Sequence, residues 1–366
     1  MGETTKKHCI IVLNTIELNQ NNELSNYPER SMRLTQFIAS ALIALSSSAA
    51  IADTDIRFAL DWRFEGPATP FFVAIDKGYY EAEGLNVTID PGSSSVEPIN
   101  RVATDTYQMG FADINSLIKY RDNPKNPPVK AVMMVYDAPA FSIVTLKDKG
   151  ITKPKDLEGK VLGAPAPDGA YAQWPIFVNA NDIDASKVQI ENIGFPVREP
   201  MLAQGRVDAI TGFWFSSFMN LKANGVKDED IVVMLLADYG VDLYGNAIMA
   251  NPEFAKNNPE AVKGFLRATI KGIQDTLKDP EASIDSLMER NAIANRDVEL
   301  QRLKMALERN FVTPDVEKNG LGAIDKARMD KAIEQIGLTF DYTNKPTTET
   351  VFTSEYLPPK EERMVK

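Results

Sequence analysis

The stretch DIRFALDWRFEGPATPFFVAIDKGYYEAEGLNVTIDPG, residues 55–92, decides the fold. The apolar run Ile56–Leu60 predicts a buried strand that ends at a polar turn, and Leu85–Ile89 predicts a second strand. Between them, Pro70–Glu83 predicts a helix, because bulky apolar side chains recur at helical spacing and Gly84 follows at a common helix end. These side chains are Phe71, Phe72, Ile75 and Tyr79. Such a strand–helix–strand unit favours a parallel sheet covered by helices.

The same alternation continues to Gly240 and falls into two successive series, after which residues 252–336 are almost wholly helical in pattern. We therefore predict an α/β chain with two lobes, two crossover segments between them and a helical C-terminal region. The predicted boundaries are 53–141 plus 245–366 for lobe 1, 142–244 for lobe 2, and 137–150 and 238–250 for the crossovers. A single larger doubly wound domain is the alternative.

An export signal is predicted upstream of these elements. Residues 32–52, MRLTQFIASALIALSSSAAIA, combine a basic start at Arg33, a short apolar core and a small-x-small ending at Ala52. The apolar run is far shorter than the ~20 residues of a membrane-spanning helix. We expect cleavage near Ala52 and a periplasmic mature chain. We also expect residues 1–31 to be an unstructured upstream stretch, with Met32 as the true start.

Composition excludes much of catalytic chemistry. The only histidine, His8, and the only cysteine, Cys9, precede the predicted signal, so a chain that starts at Asp53 has neither. No Ser-His-Asp or Cys-His nucleophile system, no metal site of the usual His/Cys type and no disulfide can then form. We expect no cofactor and no metal site. A hydrolase that uses carboxylates alone, built on Asp61 and Asp137, stays open.

The formal net charge of −11 argues against nucleic-acid binding and against adhesion to anionic lipid. Beyond the predicted signal, no apolar stretch is long enough to span a membrane. The composition is that of an ordinary globular protein, and we expect a monomer whose partner is a small molecule.

Four blocks of sequence resemble a known family. They are Leu60-Asp61-Trp62, the segment 70–87, the segment DLEGKVLG at 156–163 and the segment GRVDA at 205–209. In order and spacing they are similar to periplasmic substrate-binding proteins of ABC importers, in the branch that binds thiamine pyrimidine precursors, nitrate, sulfonates and taurine. The resemblance covers about residues 55–280.

This resemblance implies the two-lobed type II binding-protein fold, hinge closure around a ligand, and delivery to an ABC permease with its ATPase. It does not imply an enzyme. The fungal pyrimidine synthases of the same superfamily use a histidine and a cysteine-rich segment, and the chain from Asp53 onward contains neither residue type.

Candidate ligand-binding residues follow from the rule that ligands of open α/β sheets lie beyond the carboxyl ends of the strands. Applied to the predicted strands and crossovers, the rule selects Asp61, Trp62, Arg63, Ser93, Ser94, Ser95, Asn115, Tyr136, Asp137, Asp168, Tyr171, Trp174, Trp214, Asp242 and Tyr244.

The residue types in this set indicate the chemistry. All three tryptophans of the chain belong to it, which predicts an aromatic-walled pocket, although Trp174 is equally consistent with helix packing. The serines 93–95 and Asn115 begin predicted helices, where they either hold a polar ligand group or cap the helix. Arg63 is the main basic candidate.

The acids favour one ligand class over another. Asp61, Asp137 and Asp242 can accept hydrogen bonds from amino or ring N–H groups, and each is also an ordinary turn residue. Acids among aromatic residues favour a pyrimidine-like or other heteroaromatic nitrogen compound. A sulfonate, taurine or nitrate receptor is the alternative, since backbone N–H groups can bind anions without a sequence signal. A sensory receptor would have the same sequence features.

Overall fold

The computed structural model describes residues 53–365, which form two five-stranded sheets. The strands are β1 Thr54–Ala59, β2 Leu85–Asp90, β3 Met109–Asp113, β4 Lys130–Met134, β5 Phe141–Leu146, β6 Val161–Ala164, β7 Gln189–Asn192, β8 Ala209–Phe213, β9 Ile231–Leu235 and β10 Asn246–Ala250. The first sheet has the order β2-β1-β3-β10-β4 and the second has the order β7-β6-β8-β5-β9. We call each sheet with its packed helices a lobe. The predicted signal peptide at 32–52 lies outside the described residues. So does the upstream stretch 1–31, which contains His8 and Cys9.

The prediction of parallel sheets is right for the strand–helix–strand part of each lobe and wrong for one inner strand in each. β1 pairs in parallel with β2 and β3, and β6 pairs in parallel with β7 and β8. In contrast, β10 is antiparallel to β3 and β4, and β5 is antiparallel to β8 and β9. Each of these two strands enters its sheet directly from the other lobe, without the helical connection that a parallel neighbour requires.

The two antiparallel strands also shorten the crossovers. The predicted segments 137–150 and 238–250 contain β5 and β10, so the links between the sheets are 135–140, the first crossover, and 236–245, the second. The links lie side by side: the Gly245 N–H donates to the carbonyl oxygen of Tyr136 at 2.9 Å. A Cβ on Gly245 would lie 2.7 Å from the Tyr136 Cβ, so only glycine permits this approach.

The helices cover both sheets and form the C-terminal region. They are α1 Thr69–Asp76, α2 Glu97–Ala103, α3 Ile114–Arg121, α4 Trp174–Ala180, α5 Arg198–Ala203, α6 Trp214–Ala223, α7 Pro252–Asn257, α8 Pro259–Lys278, α9 Pro280–Met288, α10 Arg296–Ala306, α11 Pro314–Asn319, α12 Lys326–Gly337 and α13 Thr348–Val351. None of the helices within 53–365 has the length and apolar content needed to cross a membrane.

The first helix is shorter than the sequence predicts. It ends at Asp76 because Gly78 has a φ of +67°, and a separate 3₁₀ turn then leads to Gly84 at φ +70°. The long helix α8 packs on α1 at Gly272, where a Cβ would lie 2.3 Å from a backbone oxygen of α1. This packing fixes the start of α1, and with it the loop that follows β1, at the edge of the cleft between the sheets.

Candidate functional site

A cavity of about 640 Å³, counting its space open to solvent, lies between the two lobes. Residues from the loops after β1, β2 and β4 line it on the first lobe, and residues after β6, β7 and β8 line it on the second. The aromatic lining residues are Trp62, Phe71, Phe111, Tyr136, Phe195, Phe213 and Phe215. The polar ones are Asp61, Arg63, Glu65, Ser94, Ser95, Asp168, Arg198 and Ser216. An apolar wall with a few polar groups is the usual composition of a small-molecule site.

Asp61 is the buried acid on the side of the first lobe. It follows β1 directly, is 8% exposed, and accepts a hydrogen bond at 2.6 Å from the side-chain amide of Asn246, the first residue of β10. Burial raises the pKa of Asp61 from 3.8 to about 7, more than the hydrogen bond from Asn246 lowers it. Within residues 53–365 no basic side chain forms an ion pair with Asp61. Its carboxyl group is therefore free to pair with a ligand.

Asp168 is the buried acid on the side of the second lobe. It lies in the loop after β6, is 4% exposed and accepts a hydrogen bond at 2.6 Å from the Thr211 hydroxyl group of β8. Burial raises the pKa of Asp168, and the nearby Arg198 guanidinium and the Thr211 hydroxyl oppose that rise. The cavity thus has one buried carboxyl group on each lobe.

The two basic lining residues differ in availability. Arg198 is buried at the start of α5, and its Nε and Nη2 both donate to one carboxylate oxygen of Glu199, at 2.9 and 2.7 Å. The positive charge of Arg198 is thus already paired with a carboxylate of the protein. Arg63 is exposed, with its guanidinium carbon 5.2 Å from the centre of the Trp62 ring. The buried part of the cavity is therefore acidic on balance.

Contacts between the lobes partly close the cavity. The Trp62 ring of the first lobe meets the Phe195 ring of the second edge-on, with centroids 4.8 Å apart. The Glu65 carboxylate accepts hydrogen bonds from the Trp62 Nε1 at 3.1 Å and from the Ser216 hydroxyl of α6 at 2.7 Å. Glu65 thus connects the loop after β1 to the second lobe. In the structure the two lobes therefore contact each other across the cavity.

The structure gathers part of the predicted set at this cavity. The predicted residues that line it are Asp61, Trp62, Arg63, Ser94, Ser95, Tyr136 and Asp168. They come from both lobes, as the strand-end rule expects. Their role in binding stays a prediction.

Four other predicted residues have their partners away from the cavity. Ser93 donates through its N–H and hydroxyl to the Glu97 carboxylate in the first turn of α2, and it does not cap that helix. Asn115 is buried and donates to Asp113 and to the carbonyl oxygen of Tyr244. Tyr171 and Trp174 pack in the hydrophobic core, which is the helix-packing alternative for Trp174. None of these side chains lines the cavity.

The remaining four predicted residues bind residues of the C-terminal helical region. The Trp214 Nε1 donates to Asn310 at 3.0 Å. Asp137, Asp242 and Tyr244 surround the guanidinium of Arg328 in α12. Asp61 lines the cavity and Asp137 does not, so the carboxylate pair considered for a hydrolase is not assembled there. The C-terminal partners carry no local sequence signal.

Among the lining residues that the predicted set lacks are Glu65, Phe195, Arg198 and Ser216. Phe195 and Arg198 follow β7, so the strand-end rule would have found them had it been applied to that strand. Ser216 was predicted only as the first residue of a helix at 216–223, which in the structure begins at Trp214. Glu65 lies four residues after Asp61, and the turn that brings it back to the cavity is not evident from residue types.

Comparison with known proteins assigns the family. The family model described as NMT1/THI5 like matches residues 67–283, more than half of the chain. The chain belongs to this family. A formylaminopyrimidine-binding protein of Halalkalibacterium halodurans is 27% identical over 282 residues, covering 75% of this chain and 82% of the relative. A riboflavin-binding protein, RibY, of Chloroflexus aurantiacus is 26% identical, covering 79% and 82%.

The proteins similar to this chain also include enzymes. A 4-amino-5-hydroxymethyl-2-methylpyrimidine phosphate synthase of Aspergillus parasiticus is 26% identical over 266 residues, covering 70% of this chain and 75% of the relative. Family membership alone therefore does not separate a binding protein from a synthase.

Solved structures confirm the predicted fold. The alkanesulfonate-binding protein SsuA of Xanthomonas axonopodis pv. citri, bound to MOPS, superimposes with a TM-score of 0.61 at 14% identity, covering 83% of this chain and 98% of that one. The nitrate-binding protein NrtA of Synechocystis PCC 6803 gives a TM-score of 0.63 at 12% identity, covering 83% and 87%. The predicted two-lobed binding-protein fold and the resemblance to substrate-binding proteins of importers are confirmed.

Proposed function

We propose that this protein is an extracytoplasmic receptor that closes around a small heteroaromatic nitrogen compound and delivers it to an ABC permease. The observation that carries the proposal is the cavity between the lobes, with aromatic walls and a buried carboxyl group on each side. The relatives named for binding a formylaminopyrimidine and riboflavin support this ligand class. Export through the predicted signal peptide belongs to the same proposal.

The aromatic lining favours a flat ring. Trp62 and Phe195 close the cavity from opposite lobes, and Phe71, Phe111 and Tyr136 lie among its other walls. Planar heterocycles gain from stacked or edge-on contacts with such rings in addition to the burial of their apolar surface. Walls from both lobes meet the ligand only when the lobes approach, which couples binding to hinge closure.

The buried acids favour a ligand that brings N–H groups or a positive charge. Asp61 accepts one hydrogen bond from the side-chain amide of Asn246. Asp168 accepts hydrogen bonds from the Thr211 hydroxyl and from a backbone N–H group. Amino and ring N–H groups of a heterocycle can donate to the remaining carboxylate lone pairs. An anion such as a sulfonate would instead be buried beside these carboxyl groups, while the buried Arg198 is already paired with Glu199.

Binding measurements with the purified protein test the ligand class. Calorimetric titration with 4-amino-5-hydroxymethyl-2-methylpyrimidine, riboflavin and taurine compares the alternatives. We expect the aminopyrimidine to bind and Asp61→Asn to weaken it by ~30-fold, because an amide cannot supply the charged acceptor. Ser93→Ala is the matched control, since its side chain bonds Glu97 outside the cavity lining. Binding of taurine alone would replace the proposed ligand class with the sulfonate alternative.

The same samples test for an enzyme. A receptor returns its ligand unchanged, so mass spectrometry after a long incubation at 37 °C should recover the intact aminopyrimidine. Conversion of the ligand would contradict a receptor without catalysis and favour the enzymatic branch of the family. Native mass spectrometry of the protein as purified would identify what it carries from the cell.

A further inference from the structure

A single arginine joins the two crossovers. The Nη2 of Arg328 donates to the carbonyl oxygens of Asp137 in the first crossover and of Leu243 in the second, both at 2.9 Å. Its Nη1 lies 3.4 Å from the Asp137 carboxylate, and its guanidinium carbon lies 3.9 Å from the centre of the Tyr244 ring. The rigid guanidinium fork thus fixes the directions of groups from both segments at once.

The helix that carries Arg328 is anchored in the first lobe and lies along the second crossover. Its apolar face, with Met329 and Ile333, is buried in the hydrophobic core and contacts α3. At its start the N–H of Asp325 donates to the Tyr244 hydroxyl at 2.8 Å. Near its end the side-chain amide of Gln335 donates to the carbonyl oxygen of Gly240 at 2.6 Å. The contacts of Asp325 and Gln335 are with the second crossover, whereas those of Arg328 also reach the first.

Arg328 does not line the cavity, so it makes no direct contact with a ligand there. Hinge closure of a two-lobed protein changes the backbone dihedrals of a few residues in the connecting segments. A group that binds carbonyl oxygens of both segments stabilises the arrangement in which both bonds are formed. We propose that Arg328 is a positioning residue that holds the crossovers in the closed arrangement and so sets the equilibrium between open and closed lobes. Its importance for ligand capture rests on the proposed function.

This role has a characteristic consequence for binding. The apparent dissociation constant equals the intrinsic one divided by the closed fraction. Loss of the Arg328 contacts should therefore weaken the binding of every ligand by the same factor, at most ~tenfold for a typical coupling, and leave the preference between ligands unchanged. A residue that contacts the ligand would change that preference.

A distance measurement tests the equilibrium without any ligand. The full chain with Cys9→Ser has no other cysteine, so spin labels can be placed at Ala82→Cys and Ala185→Cys, two exposed positions on different lobes. Pulsed electron–electron resonance then compares the parent with Arg328→Lys, which keeps the charge but lacks the fork. Arg267→Lys is the matched control, because Arg267 binds Glu83 within the first lobe through Nε and Nη2 at 3.0 and 2.6 Å.

We expect Arg328→Lys to lower the ratio of closed to open lobes ~tenfold, and Arg267→Lys to leave the distance distribution unchanged. Should Arg328→Lys fail to fold, Gln335→Ala, which removes only the contact with Gly240, should shift the distribution in the same direction by less. A distribution unchanged in every folded variant of Arg328 and Gln335 would overturn the proposal. Because no ligand is added, this outcome is independent of whether the proposed ligand class is correct.

Discussion

Asp61 and Asp137 each follow a strand of the first sheet and both are buried, yet their surroundings differ. Asp61 accepts a hydrogen bond from Asn246 and has no cation beside it within residues 53–365. Asp137 accepts a hydrogen bond from Thr313 and lies beside the guanidinium of Arg328. Burial raises the pKa of both, but for Asp137 the cation opposes the rise. The carboxyl group of Asp137 is thus already paired with a cation of the protein, whereas that of Asp61 is available to a ligand that brings a positive charge or N–H groups.

The largest expected effect is on the pH dependence of stability. Below pH ~4 Asp61 is protonated in both the folded and the unfolded chain, and above its raised pKa of about 7 it is ionised in both. The free energy of unfolding therefore falls by about 4 kcal/mol through Asp61 as pH rises between these values. Asp61→Asn should remove this loss and be more stable than the parent at pH 8. Urea unfolding at pH 4 and pH 8 measures it.

Other buried acids, including Asp113 and Asp168, also have raised pKa values and remain in both proteins. The difference between the parent and Asp61→Asn therefore isolates Asp61. Parallel stability profiles for the two proteins would contradict the proposed lack of a cationic partner.

Replacement of Asp137 is expected to lower the stability of the fold, whereas replacement of Asp61 should raise it at pH 8. Asp137→Ala removes the buried carboxylate beside Arg328 and leaves it the exposed carboxylates of Asp242 and Asp315. This change should cost about 3 kcal/mol in the free energy of unfolding at pH 7. Asp242→Ala is the matched control, because its side chain is 64% exposed and also lies within 3.4 Å of Arg328, so its loss should cost less than ~1 kcal/mol. Urea unfolding measures both, and equal losses would show that burial does not distinguish the two pairs.

The smallest effect concerns the contact that closes the cavity. Trp62 and Phe195 belong to different lobes, and their edge-on contact should contribute about 1 kcal/mol beyond the area it buries. A double-mutant cycle of Trp62→Ala and Phe195→Ala, read out by urea unfolding, measures the coupling. A coupling of zero would mean that the lobes are apart in solution when no ligand is bound.

Much of the architecture could be predicted from residue patterns. The predicted strands at 56–60 and 85–89 match β1 and β2 to within two residues at each end, because apolar runs and turn residues act locally. The strands β5 and β10 were missed, since each was assigned to a crossover and only pairing with distant strands makes it part of a sheet. Within the candidate site, the strand-end rule found Asp61, Trp62 and Asp168, which occupy the cavity edge by topology alone.

The sequence by itself therefore determined the family, the two-lobed fold and the acids and aromatic residues available at the strand ends. The tertiary structure alone decided which of those acids has a cation beside it. Arg328 lies 191 residues after Asp137 in the chain, and no local pattern relates them. Asn246 is likewise distant from Asp61. The physical reason is that burial and electrostatic pairing depend on neighbours in space, whereas residue patterns report only neighbours along the chain.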